Sequence, residues 1–497
     1  MTTRPSAPPS VRLLLRAAAN QEPERAALRD DAGESSYAEM CRLANRAAGW
    51  LRAQGVRPGD RVLVRAAANR TTVAVLFGCL SIGAVFVPYS TDITRYQLTD
   101  LLADAQPVLV ITDDERQEGW IPVQVTGPAA LYAAPAREHV ERDAAPDDLA
   151  LLLYTSGSTA QPKAVACTHA QVSFAVSAVA AVVRYRADDV VFCRLPLSFD
   201  YGLYQVFLTF LAGGTLVLAD AAHDARLLAD LRRHRATVVP VVPSLARMLL
   251  TLAARRSSDP GSPCVRLFTN TGEHLSNATA DELRDRFPGA GVQMMFGTTE
   301  CKRITVLEPD GDRHRPGSVG RPLPGTRVRI LGDDGRELAQ AETGEICVHG
   351  PHVMAGYWRA PELTAARFPV DETTGERFLR TGDFGYLGQD GHLYFAGRRD
   401  HLFKLRGTRT STVEIEAAAL LLAGVTQAAV LPPAGGLDAV LCVIASVTEE
   451  EVVRGLRDRL GPAKVPPLCR RVESLPLTVN GKVDRRRLRE LLEGAVV

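Results

Sequence analysis

Three things are scarce in this chain of 497 residues: net charge, closely spaced cysteine and unbroken apolar sequence. Lys and Arg number 58 against 57 Asp and Glu, a net charge of +1, which gives no electrostatic reason to expect a nucleic acid or a membrane surface as partner. The nine cysteines, at 41, 79, 167, 193, 264, 301, 347, 442 and 469, never come within twenty residues of one another. That excludes a C-x-x-C metal or redox pair, and scattered thiols in a chain this long fit a cytoplasmic location. The most apolar stretch, "VAVLFGCLSIGAVFV" at 73–87, has 15 residues and ends at Pro88. It falls short of the roughly 20 residues that span a bilayer and reads as a buried helix followed by a strand. The opening "MTTRPSAPPS" lacks the apolar centre of a signal peptide and is expected to be a loose leader. Internal repeats and low-complexity blocks are missing as well.

What is present is an alternation. Strand-like runs "VLVI" (108–111), "VVFCRLPL" (190–197), "GTLVLA" (214–219) and "ATVVPVV" (236–242) alternate with Ala/Leu/Arg-rich stretches of helical period. The pattern predicts an α/β fold with largely parallel sheets. From about residue 320 short strands broken by Asp-Gly turns, in "GDDGRE" and "GQDGHLYFAGR", predict hairpins. After Asp400 a compact unit follows, with strands in "QAAVL" and "DAVLCVIASV", a helix opened by a Thr448/Glu451 capping box, and "CRRVESLPLT". Length alone calls for a large N-terminal part and at least one smaller domain.

The chemistry concentrates in a few stretches, first among them "LLLYTSGSTAQPKAVACTH" (151–169), where an apolar run breaks into hydroxyl residues, one Gly and Lys163. A Walker A loop requires Gly before its Lys and Ser or Thr after it, and Pro162 and Ala164 stand there instead. A nucleophile elbow requires Gly two residues beyond the serine, where Ser158 has Ala160. In "MFGTTECKR" (295–303), a Gly-Thr-Thr turn ends in Glu300, offering hydroxyls to phosphate and a carboxylate to a hard cation. In "LRTGDFGYLGQDGHLYFAGRRD" (379–400), Asp383 could accept from two vicinal ribose hydroxyls; the D-F-G within it has no kinase catalytic loop upstream. In "LPLTVNGKVDRRRL" (475–488), Lys482 follows an Asn-Gly turn.

Together with "NTGEHL" (270–275), "TGEICVHGPHVMAGYWRAPELTAARF" (343–368) and "GRRDHLFKLRGTRTSTVEIE" (397–416), these stretches resemble, in order and over residues 25–490, the adenylate-forming superfamily of acyl- and aryl-CoA synthetases, luciferases and peptide-synthetase adenylation domains. The resemblance implies a large AMP-binding domain over 1–399 containing a distorted β-barrel subdomain, and a small mobile α+β domain over 400–497 pivoting at Asp400. It implies ATP and Mg²⁺ as cofactors and a small carboxylic acid as substrate. Thr155, Ser156, Gly157, Ser158, Thr159 and Lys163 would form the loop on the β- and γ-phosphates. Gly272 and Glu273 would lie beside the adenine, with Phe296, Gly297 and Thr298 completing the nucleotide site. Thr299 would meet the α-phosphate, Glu300 the Mg²⁺, and Asp383 and Arg398 the ribose. Lys482 would bridge the acid and the α-phosphate. Ala160 and Ala164 stand where the family usually has Gly, and an Ala forced to positive φ would slow loop closure.

The stretch "LPLSFDYGLYQ" (195–205) falls where peptide-synthetase relatives carry an aspartate for the substrate ammonium, which makes Asp200 the acid-selecting residue. Asp200 facing a plain acyl chain would be a buried unpaired charge; alternatively, it pairs with a structural arginine. Arg303 would either hold a second carboxylate or face outward as scaffold. Tyr201, Tyr204, Phe268, Asn270, Met295 and Ile304 would form the remaining wall. The chain runs 15 residues past Lys482, which favours a stand-alone enzyme loading an α- or β-amino acid on a separate carrier protein; the alternative is a CoA ligase for a small acyl or aryl acid.

Overall fold

The structure is a computed structural model that describes residues 10–119, 121, 123–127, 129–133, 144–155, 163–220, 225–254, 264–372, 374–398, 402–405, 408–434, 438–478 and 482–494. Two sheets carry most of it. In the seven-stranded sheet, strands Val85–Tyr89, Arg61–Arg65, Leu109–Ile111 and Gln124–Thr126 run parallel, and Leu149–Thr155 joins parallel to the first of them. Val85–Tyr89 is buried at every position, as a parallel strand covered on both faces must be. The nine-stranded sheet is parallel through Gly291–Phe296, Leu267–Asn270, Val238–Val241, Val190–Cys193, Thr215–Leu218 and Ala26–Asp30.

Helices Arg70–Ile82 and Asp200–Ala212, apolar on nearly every side, pack together, with Phe77 stacked on Phe210 at 5.8 Å. The run at 73–87 is therefore a buried helix and strand, as its length predicts. Its helix lies so close to Tyr37–Ala53 that a Cβ on Gly78 would stand 2.9 Å from the Ala47 Cβ. Tyr37–Ala53 itself begins at a full capping box between Ser36 and Glu39. The run at 190–197 is a strand only to Cys193. Beyond it the chain must turn, because Gly202 at the start of the next helix comes against the Leu195 and Pro196 carbonyls with no room for a side chain.

Where the barrel is expected, strands Arg327–Leu331, Gly344–His349, Phe378–Leu387 and Leu393–Arg398 form an antiparallel four-stranded sheet, with the Asp390-Gly391 turn joining the last two. Beyond Leu402 a smaller α+β unit follows: a hairpin of Leu402–Leu405 and Thr408–Ser411, then Val425–Leu431, Val440–Ala445 and Leu468–Arg471 in one sheet. Helices Thr412–Leu420, Glu449–Leu460 and Arg485–Gly494 accompany them, the second opened by the predicted Thr448/Glu451 box. The large hydrophobic core draws on residues from Val11 to Leu393, and separate clusters built around Leu441 and Cys442 hold the small unit. Among the described residues no helix is long and apolar enough to cross a membrane.

Candidate active site

Parallel strands deliver their carboxyl ends to one edge of a sheet, and ligands in open α/β folds gather there. Leu267–Asn270 and Gly291–Phe296 end side by side, and the turns that follow them border a cavity of about 340 Å³. From the first turn come Asn270, Gly272 and Glu273; from the second, Met295, Phe296, Gly297, Thr298, Thr299 and Glu300. Gly272 has φ +88°, and a Cβ on Gly297 would collide with the Lys302 carbonyl, so both turns need glycine for room or conformation. Thr155 and Lys163, Cα partners on antiparallel strands, supply one rim, Asp383 and Arg398 a second, and Lys482 of the small unit a third. Asp200 completes the border. Ser156, Gly157, Ser158, Thr159, Ala160 and Asp400 lie outside the described residues. Ala164 has an ordinary strand conformation paired with Tyr154, so it carries none of the strain a positive φ would bring.

Several of these groups are held by neighbours. Asp383, buried, receives the Arg398 Nε at 3.2 Å across the hairpin and binds the Thr381 hydroxyl through its own N–H at 3.0 Å. Glu300 Oε1 accepts from the Tyr357 hydroxyl at 2.7 Å. Burial and the adjacent Glu300 charge push the Tyr357 phenol up, while Arg367, donating to the same oxygen, pulls it down. Burial raises the Glu273 carboxyl, against the opposing pull of Lys482, Arg485 and Arg247.

Beside Asp200 the charges are more deeply buried. Asp200 opens its helix, where the N-terminal end of the helix dipole favours a carboxylate. The Arg303 guanidinium stands over the Tyr201 ring at 4.9 Å, with Nη1 3.5 Å from Asp200 Oδ2 and donating to the Lys302 carbonyl at 2.9 Å. Arg303 is thus the arginine partner that stood as the alternative for Asp200, and it neither faces outward nor borders the cavity. Lys302, at φ +63°, turns its side chain inward to full burial. Its ammonium donates to the Thr299 carbonyl at 2.9 Å and lies 5.6 Å from the Tyr204 ring centre. Among the described residues no carboxylate comes within ion-pair distance of it.

Tyr201, Tyr204, Phe268, Arg303 and Ile304 do not border the cavity. The helical turn after Asp200 carries the Tyr201 hydroxyl to Thr269 at 2.7 Å, and Phe268 packs edge-on to Phe287. Conversely, Tyr357, Arg367 and Thr381 border it, although their stretches were quoted for other reasons, and so does His274. No group of three His, Cys, Asp or Glu suited to a metal occurs among the described residues.

The family model described as "AMP-binding enzyme" matches residues 15–358, and the model for its C-terminal domain matches 414–482. Phenyloxazoline synthase MbtB of Mycobacterium sp. (strain MCS) is 31% identical over 482 residues, covering 93% of this chain and 40% of that protein. Delta-poly-L-ornithine synthetase of Acinetobacter baumannii is 31% identical over 94% of this chain and 35% of its own length. The chain thus spans less than half of these curated relatives. Among solved structures, VinN in complex with L-aspartate shares 43% identity at TM-score 0.73, covering 79% of this chain and 99% of that one. ATP-bound MatB from Rhodopseudomonas palustris superposes at TM-score 0.87 with 28% identity, over 98% of this chain and 99% of that one.

Proposed function

The chain belongs to the AMP-binding enzyme family and is an AMP-forming ligase that activates a carboxylic acid; from that premise we propose that its acid is an amino dicarboxylate of aspartate type, loaded on the phosphopantetheine thiol of a carrier protein. The observation that carries this reading is Asp200 on the border of the cavity with Lys302 and Arg303 buried behind it: one negative charge and two positive ones, with no carboxylate on the lysine among the described residues. Buried charge is costly unless matched. A second carboxylate toward the two cations would remove the excess positive charge, while the ammonium on Asp200 and the reacting carboxylate offset each other, and VinN, whose complexes contain L-aspartate and 3-methylaspartate, supports that chemistry.

In this reading Thr155, Lys163 and the segment between them take the β- and γ-phosphates. Gly272 and Phe296–Thr298 take the adenine and its surroundings, Thr299 the α-phosphate, and Asp383 with Arg398 the ribose. The acid oxygen attacks the α-phosphorus, pyrophosphate leaves, and Lys482 offsets the charge between two anions, a contribution of roughly 10²–10³ in rate for one well-placed donor. Residues 1–399 and 400–497 form the two domains, and rotation at Asp400 then withdraws Lys482 for thiol transfer. The Glu300 carboxylate, with the Thr298 and Thr299 hydroxyls beside it, offers hard oxygen donors that fit Mg²⁺ held jointly with the phosphates, and the bound ion would neutralise phosphate charge.

An ATP–pyrophosphate exchange panel tests the acid. L-Aspartate or 3-methylaspartate should exceed succinate, which lacks the ammonium, and L-alanine, which lacks the second carboxylate, by at least about 10². Preference for succinate or o-succinylbenzoate, with product on free CoA, would favour the CoA-ligase reading. o-Succinylbenzoate CoA synthetase from Bacillus subtilis, similar at TM-score 0.84 and 27% identity over 96% of this chain, gives that outcome a concrete form.

A further inference from the structure

Strands Leu149–Thr155 and Lys163–Thr168 are antiparallel, pairing Tyr154 with Ala164 and Thr155 with Lys163 where they meet the cavity. The end of a ladder opens more readily than its middle, so the direction in which Thr155 and Lys163 are presented depends on what holds the pair beneath them. One residue from outside the cavity holds both members of that pair. Asp104, near the end of helix Arg95–Ala105, accepts the Tyr154 hydroxyl on Oδ2 at 2.5 Å. Its backbone carbonyl accepts the Trp358 indole N–H at 3.2 Å, and the Trp358 backbone N–H donates to the Ala164 carbonyl at 2.8 Å. The helix end is fixed in turn. Gln106 closes it at φ +46°, and the Arg61 guanidinium donates to the Ala105 carbonyl at 3.0 Å and the Gln106 carbonyl at 2.7 Å while lying 5.7 Å from the Trp358 ring centre. Leu98, Leu101 and Leu102 of the same helix are buried in a cluster against which Tyr154 and Trp358 pack.

One aspartate therefore reaches Tyr154 directly and its cross-strand neighbour through a tryptophan. A hydroxyl donating to a carboxylate at this distance makes a strong, charge-assisted bond. Burial and the Asp104 carboxylate push the Tyr154 phenol up, so it stays a donor. We propose that Asp104 is a positioning residue that clasps the two strands at the nucleotide rim, so that Thr155 and Lys163 stand set for the β- and γ-phosphates before ATP arrives. The inference rests on the phosphate role given above to those two residues. Asp104 itself does not border the cavity, and its contribution is to remove the need to order the rim on binding.

Equilibrium binding separates a clasp on the phosphate rim from general support of the fold. In calorimetric titrations of the full-length protein with Mg²⁺ and no acid, Asp104→Ala should bind ATP about tenfold more weakly. Its Kd for AMP, which lacks the β- and γ-phosphates, should stay within about twofold of the wild-type value. Equal weakening of both nucleotides, or of neither, overturns the proposal. Tyr154→Phe removes the same bond from its other end, so it should match Asp104→Ala, and the double variant should lose no more than either alone. Losses that add across the pair would make the two side chains independent and overturn the clasp. In ATP–pyrophosphate exchange, KM for ATP should rise in Asp104→Ala while KM for L-aspartate holds; an equal rise in both would count against it. Lys163→Ala run alongside keeps the two readings apart. If it leaves ATP binding intact while Asp104→Ala weakens it selectively, the clasp stands through Thr155 and the phosphate role of Lys163 falls. If Lys163→Ala weakens ATP binding while Asp104→Ala is silent, the clasp alone falls.

Discussion

The charged side chains on the border of the cavity and those buried behind Asp200 are held in opposite ways. At the end assigned to the nucleotide, the charged groups already have partners: Asp383 holds Arg398, and Tyr357 holds Glu300. Behind Asp200, at the end assigned to the acid, the described residues give Lys302 the Thr299 carbonyl and the Cys167 thiol but no carboxylate, and Arg303 reaches Asp200 at 3.5 Å, too long for a strong charged hydrogen bond. A nucleotide is the same at every turnover, so its site can be finished in advance. An acid must be chosen among many, and a site left electrically incomplete penalises every candidate that cannot complete it.

The sharpest way to break that contrast is Asp200→Asn, which keeps size and removes charge. It should cost about 10²–10³ in kcat/KM for the best amino acid in the exchange panel, the effect of leaving one side of a buried pair. Loss of less than about tenfold would mean that Asp200 serves Arg303 and not the substrate. Lys482→Ala comes next. It should lower pyrophosphate exchange by about 10² while transfer from a supplied acyl adenylate stays nearly intact. Equal loss in both steps would remove the two-pose reading. Lys302→Met, close in volume, should lose roughly 30-fold on L-aspartate while Tm holds or rises, since the variant no longer buries an ammonium. A fall in Tm with activity intact would make Lys302 a piece of scaffold. The mildest is Tyr357→Phe at the finished end, where one hydrogen bond to a charged group is lost. About a tenfold rise in the Mg²⁺ requirement for exchange is expected, with KM for the acid unchanged.

Legibility in the sequence followed the same division. In the proposed reading phosphate and ribose are met by short contiguous turns at strand ends, so Thr155, Lys163, Gly272, Phe296–Glu300, Asp383, Arg398 and Lys482 could be picked from motifs that resemble the family's, and all border one cavity. The alternating strands and helices were readable for a related reason: burial on both faces forces continuous apolar runs. The acid end depends on backbone direction, which wording does not carry. Lys302 stood in the quoted stretch between Glu300 and Arg303 without being singled out; its left-handed φ of +63° goes with a side chain turned inward to full burial. Tyr201 and Tyr204 were placed on the wall because they adjoin Asp200, yet one helical turn rotates them away. Tyr357 was in view too, but the partner that gives it meaning lies more than fifty residues away in sequence, at Glu300.

All nine cysteines are free, and seven of them are buried. One of the seven, Cys167, lies on the strand that begins at Lys163, where burial pushes its thiol up and the nearby Lys302 ammonium draws it back. A thiol of this kind reacts with an alkylating reagent only while the surrounding wall is open. Its labelling rate is thus a clock for local opening at the acid end, read by mass spectrometry without a mutation or a dye. An acid whose binding beside Asp200 holds that wall closed would slow the clock in proportion to its occupancy, which turns an unreactive side chain into a binding gauge for any compound, whether or not it is ever adenylated.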